Sequence, residues 1–100
     1  MLTHVVMWKF KDAEGKTKAE NIDVVKENLE SLLGKVPALQ DIRFYKNEVE
    51  CDRNFDAMLV VKVKDETALD AYKNHPAHKA VAAYVAKVTD GRAAADTTEL

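Results

Sequence analysis

The chain has 100 residues, of which 47% are hydrophobic and 32% are charged, a balance typical of one soluble globular domain over residues 1–100. Its 15 basic and 17 acidic residues give a formal net charge of -2 and are scattered along the sequence. No basic stripe is present to favour nucleic acid, and no apolar run reaches the roughly 20 residues that a membrane span needs.

The N-terminal residues do not resemble a secretion signal, because no basic stretch precedes the apolar residues and Lys9 follows them too soon. Cys51 is the only cysteine, so an intramolecular disulfide is excluded and a cytoplasmic location is predicted. Cys51 lies between Glu50 and Asp52. These acidic neighbours predict a thiol that resists ionisation and has no reactive role.

The first predicted element is a strand over residues 3–11, and both of its faces are apolar. One face carries His4, Val6, Trp8 and Phe10, and the other carries Val5 and Met7.

A long helix is predicted to begin at Thr17, with Glu20 three residues later as in a capping box. Gly34 and Pro37 are expected to end it. Apolar residues recur between them at spacings of three and four, namely Ile22, Val25, Leu29, Leu32, Leu33 and Val36.

Two further strands, Ile42–Val49 and Asp56–Lys64, are joined by a loop of about six residues and are predicted to form an antiparallel hairpin. Ile42 and Phe44 share one face of the first strand. The second strand is apolar on both faces, with Ala57, Leu59, Val61 and Val63 opposed to Met58 and Val60.

Asp65 is a predicted N-cap for a short helix over Glu66–Asn74, and Pro76 is predicted to begin another helix that runs to about Val88. Asp90-Gly91 is expected to break that helix. A last strand is predicted within Arg92–Leu100.

The order β-α-β-β-α-β predicts an α+β, ferredoxin-like fold with a four-stranded antiparallel sheet. The helices can cover only one face of this sheet, yet the other face is also apolar: it carries Val5, Met7, Met58 and Val60, or the opposite set of side chains if the helices cover the other side. We expect a second copy of the chain to cover it, which gives a homodimer with two sheets packed face to face, a dimeric α/β barrel.

Tyr72, His75 and His78 lie close together at the joint between the last two predicted helices. A neutral imidazole can take a proton from a carbon beside a carbonyl, and a buried phenol can donate to the resulting oxyanion. The same residues also fit inert packing, with Tyr72 in the core and His75 capping a turn. A metal site at His75 and His78 is disfavoured, because Pro76 places His75 outside the helix and no third ligand is evident.

Three segments resemble the family of stress-responsive dimeric α/β-barrel proteins: His4–Asp12, Pro37–Leu39 and Asp70–His78. The resemblance covers nearly the whole chain. A plant member of that family is a polyketide cyclase that closes a ring by aldol condensation without a cofactor, and its functional residues match three positions here. The resemblance implies that His78 is a general base, that Tyr72 donates to an enolate or phenolate oxygen, and that His4 lines the pocket. The identity of the substrate does not carry over.

Three functions follow from these patterns: a cofactor-free cyclase or lyase, a module that binds a small apolar or carbonyl-containing molecule, or a non-catalytic structural or assembly protein. The first two require a cavity of about 300 Å³ or more, whereas the third predicts tight packing. The residues expected at such a cavity are His78, Tyr72, His4, Val6, Trp8 and His75.

Overall fold

Four strands and three helices follow one another along the chain, and the computed structural model describes every residue from Met1 to Leu100. The elements are β1 (Leu2–Phe10), α1 (Lys18–Glu30), β2 (Leu39–Lys46), β3 (Ala57–Val63), α2 (Glu66–Asn74), α3 (Pro76–Val88) and β4 (Thr89–Thr97). The strands form one antiparallel sheet in the order β2-β3-β1-β4. The predicted α+β, ferredoxin-like architecture is confirmed.

Strand β1 is central in the sheet and supplies much of the core. Its even-numbered side chains from His4 to Phe10 are all buried, as the alternation predicts. Trp8 stacks on Phe44 of β2 with ring centroids 6.3 Å apart, and Phe10 meets Phe44 edge to face. The helices therefore cover the face that carries His4, Val6, Trp8 and Phe10.

Helix α1 begins with the predicted capping box, in which the Glu20 N–H donates to Thr17 Oγ1 and the Thr17 N–H donates to Glu20 Oε1. It ends at Glu30, earlier than predicted. The following turns still bury Leu32, but Leu33 is 48% exposed because the helical period no longer holds there. Placing Leu33 on the apolar stripe was therefore wrong.

The bounds of β2 differ from the predicted ones. The strand spans Leu39–Lys46 rather than Ile42–Val49, and its connection to β3 covers residues 47–56, longer than expected. Val49 lies in that connection and is 69% exposed. Placing Val49 in the strand was a wrong prediction. The pairing between β2 and β3 ends where Lys46 lies opposite Ala57, the first residue of β3, so Val49 has no partner residue in the sheet.

Strand β4 begins at Thr89, directly after α3, so Asp90-Gly91 is part of the strand rather than a break before it. Thr89 pairs with Phe10 and Gly91 pairs with Lys9, which leaves Asp90 as the extra residue where the register shifts. The predicted start at Arg92 was wrong because pairing with β1 satisfies the backbone there.

The second face of the sheet carries Val5, Met7, Met58 and Val60, all only partly buried in the single chain. Tyr45 is on the same face of β2 and is 47% exposed. No helix packs on this face. None of the three helices is long and apolar enough to cross a bilayer.

Candidate active site

A cavity of about 610 Å³ lies against the helix-covered face of the sheet. Strands β1 and β4 form one side of it, and helices α2 and α3 form much of the other. Val6 and Trp8 give it an apolar wall from β1, and Ala82, Val85 and Ala86 give one from α3. The volume is within the range of small-molecule sites and is not the tight packing expected of an inert interior.

Tyr72 is one of the residues that line this cavity, and its hydroxyl group is fully buried and has no hydrogen-bond partner. The residue lies near the end of α2, and Leu69, three positions earlier, is buried on the same side. Burial raises the pKa of Tyr72, so the phenol keeps its proton. The hydroxyl is therefore a buried donor without an acceptor.

The ring of His78 is in contact with the ring of Tyr72, with centroids 4.4 Å apart and planes inclined at 54°. Its Nδ1 lies 3.1 Å from the carbonyl oxygen of Lys73. A carbonyl oxygen only accepts, so Nδ1 carries the proton and donates it, and Nε2 of the neutral ring keeps its lone pair. Burial lowers the pKa of His78, and the neutral ring is the form present at neutral pH.

The break between α2 and α3 supplies that carbonyl. In a continuous helix the oxygen of Lys73 would accept from the Ala77 N–H. The Ala77 N–H instead donates to Nδ1 of His75, at 3.1 Å, since His75 is the N-cap of α3 and has an extended backbone. The oxygen of Lys73 is thereby left for His78.

His4 donates from Nδ1 to Oδ1 of Asp96 at 2.5 Å. The two residues are directly opposed in the β1–β4 ladder, which places both side chains on the same face. Burial lowers the pKa of His4 despite the opposing effect of the carboxylate, so this contact is a hydrogen bond from a neutral ring at neutral pH. The bond fixes the orientation of the His4 ring at the cavity wall.

The structure brings five of the six predicted site residues together at one cavity: His4, Val6, Trp8, Tyr72 and His78. His75 is not among the residues that line it. The ring of His75 instead caps α3, which is the non-catalytic role predicted for it as an alternative.

Sequence reasoning missed Asp96, Lys73 and Arg92, of which the last two line the cavity. The pairing of Asp96 with His4 and of Arg92 with Trp8 depends on the register of β4. The only signal available was the alternation of Arg92 and Asp96 in the predicted last strand. No three histidine, cysteine, aspartate or glutamate side chains cluster closely enough to hold a metal ion.

Cys51 is exposed and lies outside this cavity. Hydrogen bonds from the backbone and side chain of Arg53 lower the pKa of its thiol. The prediction that Glu50 and Asp52 would keep the thiol protonated was therefore wrong, because the interaction with Arg53 has the larger effect on the pKa.

Several solved structures share this fold at low sequence identity. A dimeric ferredoxin-like protein of unknown function from Thermobifida fusca is 23% identical, with a TM-score of 0.81 over 96% of this chain and 88% of its own. A dimeric protein of unknown function from Bacteroides fragilis is 24% identical, with a TM-score of 0.78 over 96% of this chain and 93% of its own. A protein from Arabidopsis thaliana is 17% identical, with a TM-score of 0.82 over 100% of this chain and 96% of its own.

No curated protein matches the chain in sequence. The sequence model of the Stress responsive A/B Barrel Domain family, however, matches residues 2–99, nearly the full length. This match agrees with the resemblance seen in the first strand and in the Tyr72–His78 segment. The chain therefore belongs to the stress-responsive A/B barrel domain family.

Proposed function

We propose that the chain is a cytoplasmic, homodimeric, cofactor-free enzyme that binds a small, largely apolar carbonyl compound and removes a proton from the carbon next to the carbonyl. The observation that carries this proposal is the buried, unpartnered hydroxyl of Tyr72 beside the neutral ring of His78. A buried hydroxyl without a partner costs about 1–3 kcal/mol of stability, and a bound carbonyl oxygen would remove that cost.

In this mechanism the Tyr72 hydroxyl donates to the carbonyl oxygen of the ligand, and Nε2 of His78 takes the α-proton. The electron pair of the C–H bond moves to the oxygen, which becomes an enolate held by Tyr72. The new charge on His78 is supported by its Nδ1–H bond to the carbonyl of Lys73. If the molecule has a second carbonyl, the enolate carbon forms a C–C bond to it, and the proton on His78 passes to the new alkoxide.

The cavity itself favours a ligand over a purely structural role. Its volume of about 610 Å³ exceeds the minimum of about 300 Å³ expected of a binding site. A structural or assembly protein has no use for an open volume beside an unpaired hydroxyl, because filling that volume with apolar side chains would stabilise the fold. A structural role is the alternative against which the proposal is tested.

The homodimer is supported by the uncovered sheet face, where Val5, Met7, Met58 and Val60 are partly exposed. The structural relatives from Thermobifida fusca and Bacteroides fragilis are described as dimeric. The face lies on the opposite side of the sheet from His4, so the proposed dimer would leave the cavity of each copy open.

The test is hydrogen–deuterium exchange at the methyl group of acetophenone in D₂O, followed by proton NMR. The chain should accelerate the exchange, and His78→Gln should reduce the acceleration by about 10²-fold or more, because one general base typically supplies 10²–10⁴-fold. The indole N–H resonance of Trp8, the only tryptophan, reports binding at the same time.

Binding without exchange would overturn the enzymatic proposal in favour of a binding module. If neither binding nor exchange occurs across a series of aryl ketones, the structural role stands instead. Exchange that survives His78→Gln would reject His78 as the base.

A further inference from the structure

Two cationic side chains line the cavity without an acidic partner. Lys73 follows Tyr72 on α2, and Arg92 is opposite Trp8 in the β1–β4 ladder, on the face of the sheet that the cavity covers. All the ion pairs in the structure are formed by other residues. Both cations are therefore free to bind an anion at this cavity.

The charges of Lys73 and Arg92 act on the same part of the cavity. Burial is the main cause of the lowered pKa of His4 and of His78; Lys73 adds to the lowering at both rings, and Arg92 adds to it at His4. Two side chains from different elements, a helix and an edge strand, thus place positive charge near His4, beside the carboxylate of Asp96. A ligand at Tyr72 and His78 would lie close to the charge of Lys73.

The nearby acidic groups are already engaged. Asp90 lines the cavity but forms an ion pair with Lys11 at 3.3 Å. Asp96 accepts the hydrogen bond from His4 and borders an adjacent groove together with Lys73. No carboxylate lies within ion-pair distance of Lys73 or of Arg92.

We propose that the molecule bound in this cavity is a keto acid, whose carboxylate is held by Lys73 and Arg92 while its carbonyl oxygen lies at the Tyr72 hydroxyl. The planar guanidinium of Arg92 matches the two oxygens of a carboxylate, and the flexible ammonium of Lys73 adds a second donor. The apolar wall of Val6 and Trp8 takes the hydrocarbon part of the molecule. This inference rests on the proposed function, because it gives the substrate class of the same site.

The experiment compares two probes that differ in charge, 4-oxo-4-phenylbutanoate and its methyl ester. Affinity is read from the NMR shift of the Trp8 indole N–H. The keto acid should bind roughly five- to tenfold more tightly than the ester at low salt, since two exposed ion pairs contribute modestly and are screened by added salt.

The double variant Lys73→Met, Arg92→Met should lose that advantage and bind both probes with the affinity that the wild type has for the ester. Lys79→Met is the matched control, because Lys79 is exposed on α3 and does not line the cavity. Its affinity for both probes should be unchanged.

Equal affinity of the wild type for the two probes would overturn the assignment of a keto acid and leave the carbonyl-binding function intact. A double variant that keeps the preference for the acid would overturn the assignment in the same way. If neither probe binds and acetophenone does not bind either, both the proposed function and this inference fail.

Discussion

The rings of Tyr72 and His78 touch, with centroids 4.4 Å apart, and no packed side chain separates them. They come from consecutive helices joined through His75. Tyr84, which is partly buried against the core, shows a different arrangement: its hydroxyl donates to Oδ1 of Asn21 at 2.6 Å. The hydroxyl of Tyr84 thus has a hydrogen-bond partner within the fold, whereas the hydroxyl of Tyr72 has none.

This contrast predicts that Tyr72→Phe removes activity without loss of stability. Deleting an unpaired buried hydroxyl should raise the free energy of unfolding by about 1 kcal/mol, whereas the exchange of acetophenone protons should fall about 10²-fold. Urea denaturation and the NMR exchange assay give the two quantities on the same variant.

Tyr84→Phe is the control for that experiment. It leaves Asn21 Oδ1 without its donor, and Asn21 also holds the backbone carbonyls of Lys11 and Ala13. We expect a loss of about 1–3 kcal/mol. A comparable loss in Tyr72→Phe would mean that the Tyr72 hydroxyl has a structural partner, which would remove the main support for the proposed function.

Substitutions of the two histidines at the joint between α2 and α3 should also have different effects on stability and on activity. His75→Ala removes the side-chain cap of α3 and should cost about 0.5–2 kcal/mol of stability, with the exchange rate nearly unchanged. His78→Ala should abolish exchange and change stability less. Thermal unfolding and the exchange assay on both variants check the prediction, which is contradicted if His75→Ala is the variant that stops exchange.

Stability should fall on mild acidification because burial lowers the pKa of both His4 and His78. Their folded pKa values lie below the unfolded value of about 6.5, so the unfolded chain binds more protons as the pH drops through that value. The free energy of unfolding should therefore decrease as the pH falls below about 7.5, until the folded pKa values are passed.

Urea midpoints between about pH 5 and pH 8 test this dependence. The double variant His4→Gln, His78→Gln should show a shallower decrease between about pH 7 and pH 5.5, where the carboxylates contribute little. If the free energy of unfolding falls equally steeply with pH in the wild type and in the double variant, His4 and His78 are not the cause of the decrease. The exchange rate should rise with pH to a plateau, and the midpoint of this rise should lie below about pH 6.5, since the base must be neutral and burial lowers the pKa of His78.

The uncovered face of the sheet predicts the effect of a buried charge at the dimer interface. Val60→Asp should convert the proposed homodimer to monomer or aggregate at micromolar concentration, as measured by sedimentation velocity. Leu33→Asp introduces the same charge at an exposed apolar residue outside the sheet and should leave the dimer intact. A wild-type chain that sediments as a monomer would reject this architecture.

Local chemistry explains which parts of the fold can be predicted from sequence. Helices α2 and α3 have the bounds that the sequence predicts, because Asp65 and Pro76 mark helix starts through interactions within one turn. The faces of β1 follow from the alternation of its side chains. Each of these features depends on residues close together in the chain.

The predictions that failed depend on residues far apart in the chain. Thr89 and Gly91 belong to a strand because β1 pairs with them, and Val49 does not because it lies beyond the part of β2 that pairs with β3. The bond from His4 to Asp96 requires the register of two strands at opposite ends of the sequence. The proximity of Tyr72 to His78 could be predicted because one short motif holds both residues.

Two tasks are divided between the helices and the sheet of this small molecule. The groups proposed to move protons lie on the helices, whereas Val6, Trp8 and Arg92, which form one apolar wall of the cavity and one of its two unpaired charges, lie on the sheet. A designer who wishes to admit a different molecule can therefore vary the strands and leave the helices alone. Related chains can diverge in what they accept by the same route, with the reacting pair inherited unchanged.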